Sequence, residues 1–492
     1  MRLFLVWTEK GAAMGHLISE LQKNGHEIVY WLGYDGADEF KSPKTIFHSY
    51  RDAIEVKPAS GVDVSTFLPP EKDLLEKLYE AESLTLTMLN LFFFKDSVSE
   101  RKHRYYKMVW YWLGVLKKYQ PDALVLSYIP HYSYDFVLYS LAKLLGIKVL
   151  TFVDTRIPGR LLPLKDFWQG SERLKRELSK NSKKNFSSGD LVEDIRKYYL
   201  KITDKNFNEM PDNLKFLKSK HSLWHRLVSQ EVSDSIKNGT IFRKATGYLW
   251  RMWRNGEYGR LAKKLILQIS YLIRDNAKKE YRRCEQPPNW SKKFIYVPLQ
   301  VQPECSTSPQ GGIFADQILM LETLSAALPK DWVIYVKEHP IQWLRFGLEF
   351  SGYKYRGYYE QISKIKNVKI VPIETSSYKL NHESQAVVTI TGAAGWEATL
   401  WDKPAMIFGY PWYWDCPEIF HVSDTDSCRQ VFEKISAGFK PDQQKVINYL
   451  KALEQSSIHG YNADSAGFGS GLSRDESMEN IADFIVAELK NL

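Results

Sequence analysis

Apolar positions recur along this chain with two periods, and the switches between them mark its elements. Short runs rich in Val, Ile, Leu and aromatic residues predict buried strands at Leu3–Trp7, His26–Leu32, Ala123–Ser127 and Lys148–Val153. Helical spacing separates them. Leu17, Ile18 and Leu21 follow a loop with Gly11 and Gly15-His16 and end at Asn24-Gly25, Ser99–Tyr119 ends before Pro121, and Tyr132–Leu145 ends at Gly146. Strand and helix alternate as in a doubly wound sheet. Residues 34–95 show no clear period. The alternation returns at Phe294–Leu299, helix Phe314–Leu328, strand Val333–Val336, strand Val368–Val371, a helix near Ser376–Glu383, strand Ala386–Ile390, helix Trp396–Trp401 and strand Ala405–Phe408. A helix near Lys445–Leu453, a flexible Gly467–Gly471 stretch and an amphipathic helix Asp475–Leu489 complete the chain.

Length changes this picture by requiring more than one domain, because 492 residues exceed a single ordinary core. The expected division is 1–164, an α/β domain; 165–290, a helical insertion ended by the Pro287-Pro288 linker; 291–474, a second α/β domain; and 475–492, the terminal helix. The net charge of +9 is uneven: residues 165–293 hold 30 Lys+Arg against 15 Asp+Glu and are rich in Trp and Tyr. Such a stretch is either a solvated helical insertion or a face for an anionic membrane surface, an acidic polymer or nucleic acid. No signal peptide and no run of about 18 apolar residues is evident, so a cytoplasmic protein is expected, peripheral at most to the inner membrane. The four cysteines lack metal-ligand spacing and fit a reducing compartment.

Three polar clusters follow predicted strands, where open α/β sheets bind ligands. Gln300, Gln302 and Glu304 fall on one side if the backbone stays extended, and Glu304 is either a catalytic carboxylate or a cap or surface ion pair. Lys337, His339 and Pro340 form an anion-friendly rim with Glu338. Thr391, Gly392, Ala393, Ala394 and Gly395 make a turn of small residues opening a helix, and Glu397 in its first turn is either a ribose contact or an acid favoured by the helix dipole. His16, His131 and Arg156 are candidates on the other domain's rim. No metal site is expected.

The segments YVPLQVQPECSTSPQGG, YVKEHP and TITGAAGWEATLWDKPAMIFGYPWY resemble the capsule polysaccharide biosynthesis proteins, a group that includes bacterial transferases using CMP-Kdo. The resemblance covers about residues 294–413. It implies a GT-B-like α/β fold, two doubly wound Rossmann-type domains facing a cleft, with the basic helical stretch as an insertion. It implies a metal-independent glycosyltransferase with no cofactor, moving Kdo or a related nonulosonic acid from a CMP-sugar to a bacterial surface glycan or lipid-linked acceptor. Nucleic acid is not an expected partner. By position Glu304 takes the place of an Asp proposed as nucleophile in that family, His339-Pro340 the phosphate contact, and Thr391–Glu397 the nucleotide loop. A retaining course is implied. Competing readings are a nucleotide-sugar epimerase, a CDP-polyol phosphotransferase, and a glycan- or membrane-binding scaffold without chemistry.

Overall fold

The computed structural model describes residues 1–8, 12–204, 275–345, 351–462, 467 and 469–490. Two sheets organise them. The first has seven strands: β1 (Arg2–Val6), β2 (Glu27–Gly33), β3 (Ile46–Ser49), β4 (Ala123–Leu126), β5 (Lys148–Asp154), β6 (Arg160–Leu164) and β13 (Ile458–His459), in the order β13-β6-β5-β4-β1-β2-β3. β1 to β5 run parallel, and β6 and β13 extend that edge antiparallel. The second sheet is parallel throughout: β7 (Phe294–Pro298), β8 (Val333–Lys337), β9 (Val368–Ile370), β10 (Ala386–Thr389), β11 (Ala405–Ile407) and β12 (Ile419–His421), in the order β12-β11-β10-β7-β8-β9. Each sheet reverses its winding beside its first strand, between β1 and β4 and between β7 and β10. These are two doubly wound domains on the GT-B plan.

Alternation along the strands fills the layers on both faces of each sheet. Leu3, Leu5 and Trp7 enter one core while Phe4 and Val6 enter another. Ile295, Val297 and Leu299 likewise part from Phe294 and Tyr296. The helices that cover the first sheet include α1 (Ala12–Lys23), α2 (Tyr79–Met88), α3 (Val98–Tyr119) and α4 (Ser133–Leu144). α3 opens with a capping box, Ser97 accepting from Glu100 N–H while the Glu100 carboxylate accepts from Ser97 N–H.

Several expectations change. α1 starts at Ala12, so Gly15 and His16 lie within the helix and not in a turn. Gly15 is needed there because a Cβ would stand 2.7 Å from the Phe40 ring. Residues 34–95 hold β3 and α2 among other short elements; β3 has only Ile46 and Phe47 as apolar residues, too few to show a period. β6 was also hidden, because all its positions are buried and none alternates.

The stretch after β6 does not stand apart as an insertion in its described parts. α5 (Glu172–Asn181) and α6 (Glu193–Thr203) pack on the second domain's helices. Asn448 Nδ2 donates to Lys184 O at 2.7 Å, and Trp401 Nε1 donates to Ile202 O at 2.7 Å. α7 (Ala277–Cys284) belongs to the second domain's core: the Tyr281 hydroxyl donates to Val371 O at 2.5 Å. Residues 205–274, with Trp224, Tyr248, Trp250, Trp253, Tyr258 and Tyr271, lie outside the described residues. Beyond α8 (Gln317–Ala327), α9 (Tyr358–Lys364), α10 (Ser377–Glu383), α11 (Ala393–Leu400), α12 (Thr425–Ser436) and α13 (Gln443–Ser456), the chain returns to the first domain. There β13 joins its sheet, and α14 (Arg474–Lys490) places Met478, Ile481, Ile485 and Leu489 in one core with Leu17 and Leu21 of α1. Among the described residues no helix is long and apolar enough to cross a membrane.

Candidate functional site

The second sheet reverses between β7 and β10, and the two predicted clusters that follow these strands meet there. Gln300 Nε2 donates to Thr389 Oγ1 at 2.8 Å, and Thr389 Oγ1 also accepts from Gly392 N–H at 3.1 Å. The backbone of Gln300 is paired with the Gln317 amide, at 2.8 and 3.1 Å. Gln300 therefore shapes the floor of the crevice. Gln302 is not a ligand contact: it is 2% exposed, its Nε2 donates to Ala315 O at 2.7 Å, and its backbone is paired with Gln342. The expected one-sided row of Gln300, Gln302 and Glu304 does not form, because these bonds send the first two side chains to different partners.

α11 begins at Ala393, three residues before the expected start, with Gly392 as its N-cap. Gly392 offers no capping side chain, so the N–H groups of Ala393 and Ala394 have no acceptor within the helix. An anion is favoured at such an end. The turn is held from below, with the Tyr413 hydroxyl donating to Gly392 O at 2.6 Å. Gly395 leaves room for that hydroxyl, which would lie 2.8 Å from a Cβ there. The Thr391 hydroxyl is turned elsewhere and donates to Ser306 O at 2.6 Å, joining the turn to the Glu304 loop. Glu397 is half-buried on α11, and desolvation pushes its carboxyl up to about 7. Burial chiefly, and the Glu397 charge after it, raise the pKa values of Tyr198, Tyr296 and Tyr413. α6 brings Tyr198, whose hydroxyl accepts from Trp396 Nε1 at 3.1 Å.

At the end of β8 the two basic residues part. Lys337 is 5% exposed and donates to Thr375 O at 2.5 Å and to Ser377 Oγ at 2.8 Å, and burial lowers its ammonium to about 8. It braces the loop before α10, a correction to its expected role as a nucleotide contact. His339 is half-buried, and its Nδ1 accepts from Ile341 N–H at 3.2 Å. That bond leaves Nε2 as the protonated nitrogen of the neutral ring, a donor for an incoming ligand. Burial holds the His339 pKa below its ordinary value; Glu338 and Glu304 oppose this, and Lys337 and Arg156 reinforce it. Pro340 is exposed beside it.

Glu304 is half-buried at the head of a tight turn, where its carbonyl accepts from Thr307 N and Ser308 N, both at 3.0 Å. Its Oε2 accepts from Ser306 Oγ at 3.3 Å. Its charge reaches His339, and the neighbouring Cys305 thiol, pushed up to about 12 by burial, also feels Glu304, Arg156 and Asp135. Arg156 of the first domain thus acts on both His339 and the Glu304 turn.

On that domain the candidates lie in the loop after β5 and the loop before α4. Arg156 is exposed, with a left-handed backbone (φ 60), and its N–H donates to Asp154 Oδ1 at 2.9 Å. His131 is half-buried, and its N–H donates to Asp135 at 3.2 Å. The domains touch around this opening: Ser308 Oγ donates to Leu84 O at 3.3 Å, and the Tyr353 hydroxyl donates to Thr87 O. His16 is exposed on α1. Its charge acts on Glu20 of its own helix, and among the described residues nothing joins it to the site. Sequence reasoning missed Asp154, Tyr198 and Tyr413. Only Tyr413 carried a signal, as part of the apolar stretch after β11; Tyr198 reaches the site by tertiary packing alone.

Fold and site together define a two-domain α/β protein with an anion-receptive crevice at the switch point of its second sheet. Residues 225–417 match the family model described as capsule polysaccharide biosynthesis protein, and the resemblance is shown for that stretch. No curated protein matches. Solved structures similar to this chain include the Thermosulfurimonas dismutans KpsC beta Kdo 2,7 transferase, at 14% identity over 75% of this chain and 88% of that one, with a TM-score of 0.30. The beta Kdo 2,4 transferase of the same KpsC matches at 9% identity over 74% and 87%, with a TM-score of 0.30. The UDP-GlcNAc 2-epimerase from Neisseria meningitidis bound to UDP-GlcNAc matches at 11% identity over 100% of both chains, with a TM-score of 0.23.

Proposed function

We propose that this chain is a glycosyltransferase that moves an acidic sugar, Kdo or a related nonulosonic acid, from a CMP-activated donor to a bacterial surface glycan. One observation carries the reading. The Thr391 hydroxyl ties the turn before the uncapped start of α11 to the Glu304 turn, and the charges of Glu304 and of the other domain's Arg156 both act on the His339 ring. A sugar nucleotide needs these groups: N–H donors for its phosphate, an imidazole to assist the leaving group, and a carboxylate near the anomeric carbon.

In this reading Glu304 attacks the anomeric carbon as the bond to the CMP phosphate breaks, and CMP leaves with its charge met by His339 and the α11 N–H groups. The acceptor hydroxyl, entering from the Arg156 side, then attacks the anomeric carbon, the bond to Glu304 breaks, the freed Glu304 carboxylate takes the hydroxyl proton, and the outcome is net retention. If Glu304 acts instead as base, it takes the acceptor proton while CMP leaves in the same step. Calorimetry with CMP, UDP and ADP tests the donor class. CMP should bind best to the wild type, and His339→Ala should weaken it by about 1.5–3 kcal/mol. No binding of CMP, or no preference for it, would contradict the assignment. An epimerase would turn over a sugar nucleotide with acceptor omitted and release no nucleotide.

A further inference from the structure

His339 is held by more than its own strand. Its N–H donates to Glu338 Oε1 at 2.8 Å, so the preceding side chain fixes the peptide that aims the imidazole. The Glu338 carboxylate is sealed at 1% exposure. Its Oε2 accepts from the Tyr359 hydroxyl at 2.5 Å and from the Lys354 ammonium at 2.9 Å. Lys354 is itself 2% exposed, with Nζ 4.5 Å from the centre of the Tyr358 ring. The carboxylate thus has three donors, the His339 N–H on one oxygen and Tyr359 and Lys354 on the other, which fixes its plane. A buried ion pair is a costly way to gain stability, since apolar side chains of similar size do as well or better. Its place directly behind a candidate ligand contact points to a role in positioning.

We propose that Lys354 is a positioning residue for His339, acting through the Glu338 carboxylate to hold the imidazole Nε2 towards the donor phosphate. This rests on the reading of His339 as a phosphate contact. Lys354 touches no substrate. Removing it lets Glu338 seek water or another donor, and the His339 peptide turns with it.

The test uses the full chain in four forms: wild type, His339→Ala, Lys354→Met, and the double variant Glu338→Gln/Lys354→Met, which leaves no unpaired buried charge. CMP affinity, the His339 ring resonances by NMR and the melting temperature are measured on each. Lys354→Met should weaken CMP binding by about ten- to a hundredfold, the scale of a small misplacement, and should move the His339 signals in folded protein. The double variant should regain melting temperature without regaining affinity or the native His339 signals. A purely structural pair would behave otherwise: the double variant would bind CMP like the wild type with His339 signals unmoved, and the proposal would fall. That comparison also decides the matter should Lys354→Met not fold. If His339→Ala itself binds CMP like the wild type, the phosphate reading fails first and takes the brace with it. If His339→Ala weakens binding while the double variant does not, the brace alone is wrong.

Discussion

Gln300 and Thr389 tie the ends of β7 and β10 together across the point where the second sheet reverses, Nε2 to Oγ1 at 2.8 Å. The reversal opens a crevice because the connections on its two sides leave in opposite directions. The Gln300–Thr389 bond lies at that reversal, and Gly392 lies directly over it.

A methyl group at Gly392 would stand 2.5 Å from Gln300 Nε2 and 2.7 Å from Thr389 Oγ1. The backbone there is ordinary (φ −70), so Gly392→Ala is a test of space and not of strain. The variant should fold with a loss of about 1–3 kcal/mol, as for overpacking. Its CMP affinity should drop by more than that of a surface control, as read by calorimetry beside a melting curve. Unchanged affinity would mean that the crevice floor does not shape the ligand site.

Glu397 gives a pH signature. Its folded pKa, about 7, lies above the ordinary 4.5 of a glutamate, so between these values the folded state holds a proton that the unfolded state has lost. Stability from this group is therefore full below about pH 4.5 and lost as pH rises through 7, an effect of up to about 1–3 kcal/mol. Asp135, also raised to about 7, adds to the same slope. Glu397→Gln should flatten the fall in stability between about pH 5 and 8 relative to wild type, with Asp135 and Asp415 still contributing in the same sense and the buried histidines, His48 among them, opposing. Denaturant melts at both pH values check this; an unaltered slope would place the Glu397 carboxyl in water.

Most of the parallel framework was legible, because β1, β2, β4, β5, β7, β8, β10 and β11 are apolar runs bounded by turn residues. β3, β12 and β13, with no more than two apolar residues each, were not, nor was the wholly buried edge strand β6. In the site, sequence position located the strand ends but not which side chains the fold would use up. Lys337 and Gln302 have the right chemistry at the right rim, yet backbone carbonyls claim both. Tyr198 lies far from the motifs in sequence and arrives only because Trp396 and Trp401 anchor α6. The same limit applies to Lys354, which no spacing links to His339.

If the proposed transfer uses a lipid-linked acceptor, the basic stretch 165–293, with 30 Lys+Arg and 15 Asp+Glu, is expected to meet an anionic membrane surface. Co-sedimentation with vesicles should rise with anionic lipid content and fall with salt, since such attraction decays over about 10 Å at 0.1 M. Binding indifferent to both would remove the membrane from the account.

The central claim is that Glu304 carries out sugar transfer from a cytidine nucleotide bound beside His339. The most direct measurement is nucleotide release from a panel of sugar donors by the wild type and by Glu304→Gln, with CMP affinity and melting temperature taken on both. Wild type should release CMP from a CMP-activated acidic sugar in preference to UDP or ADP from theirs. If Glu304 is the nucleophile, the variant should lose release altogether; if it is a base, release should fall about 10²–10⁴-fold. In both cases CMP affinity and melting temperature should stay near wild type. A stable Glu304→Gln protein that releases CMP at the wild-type rate, or a wild type that releases none, would contradict the claim.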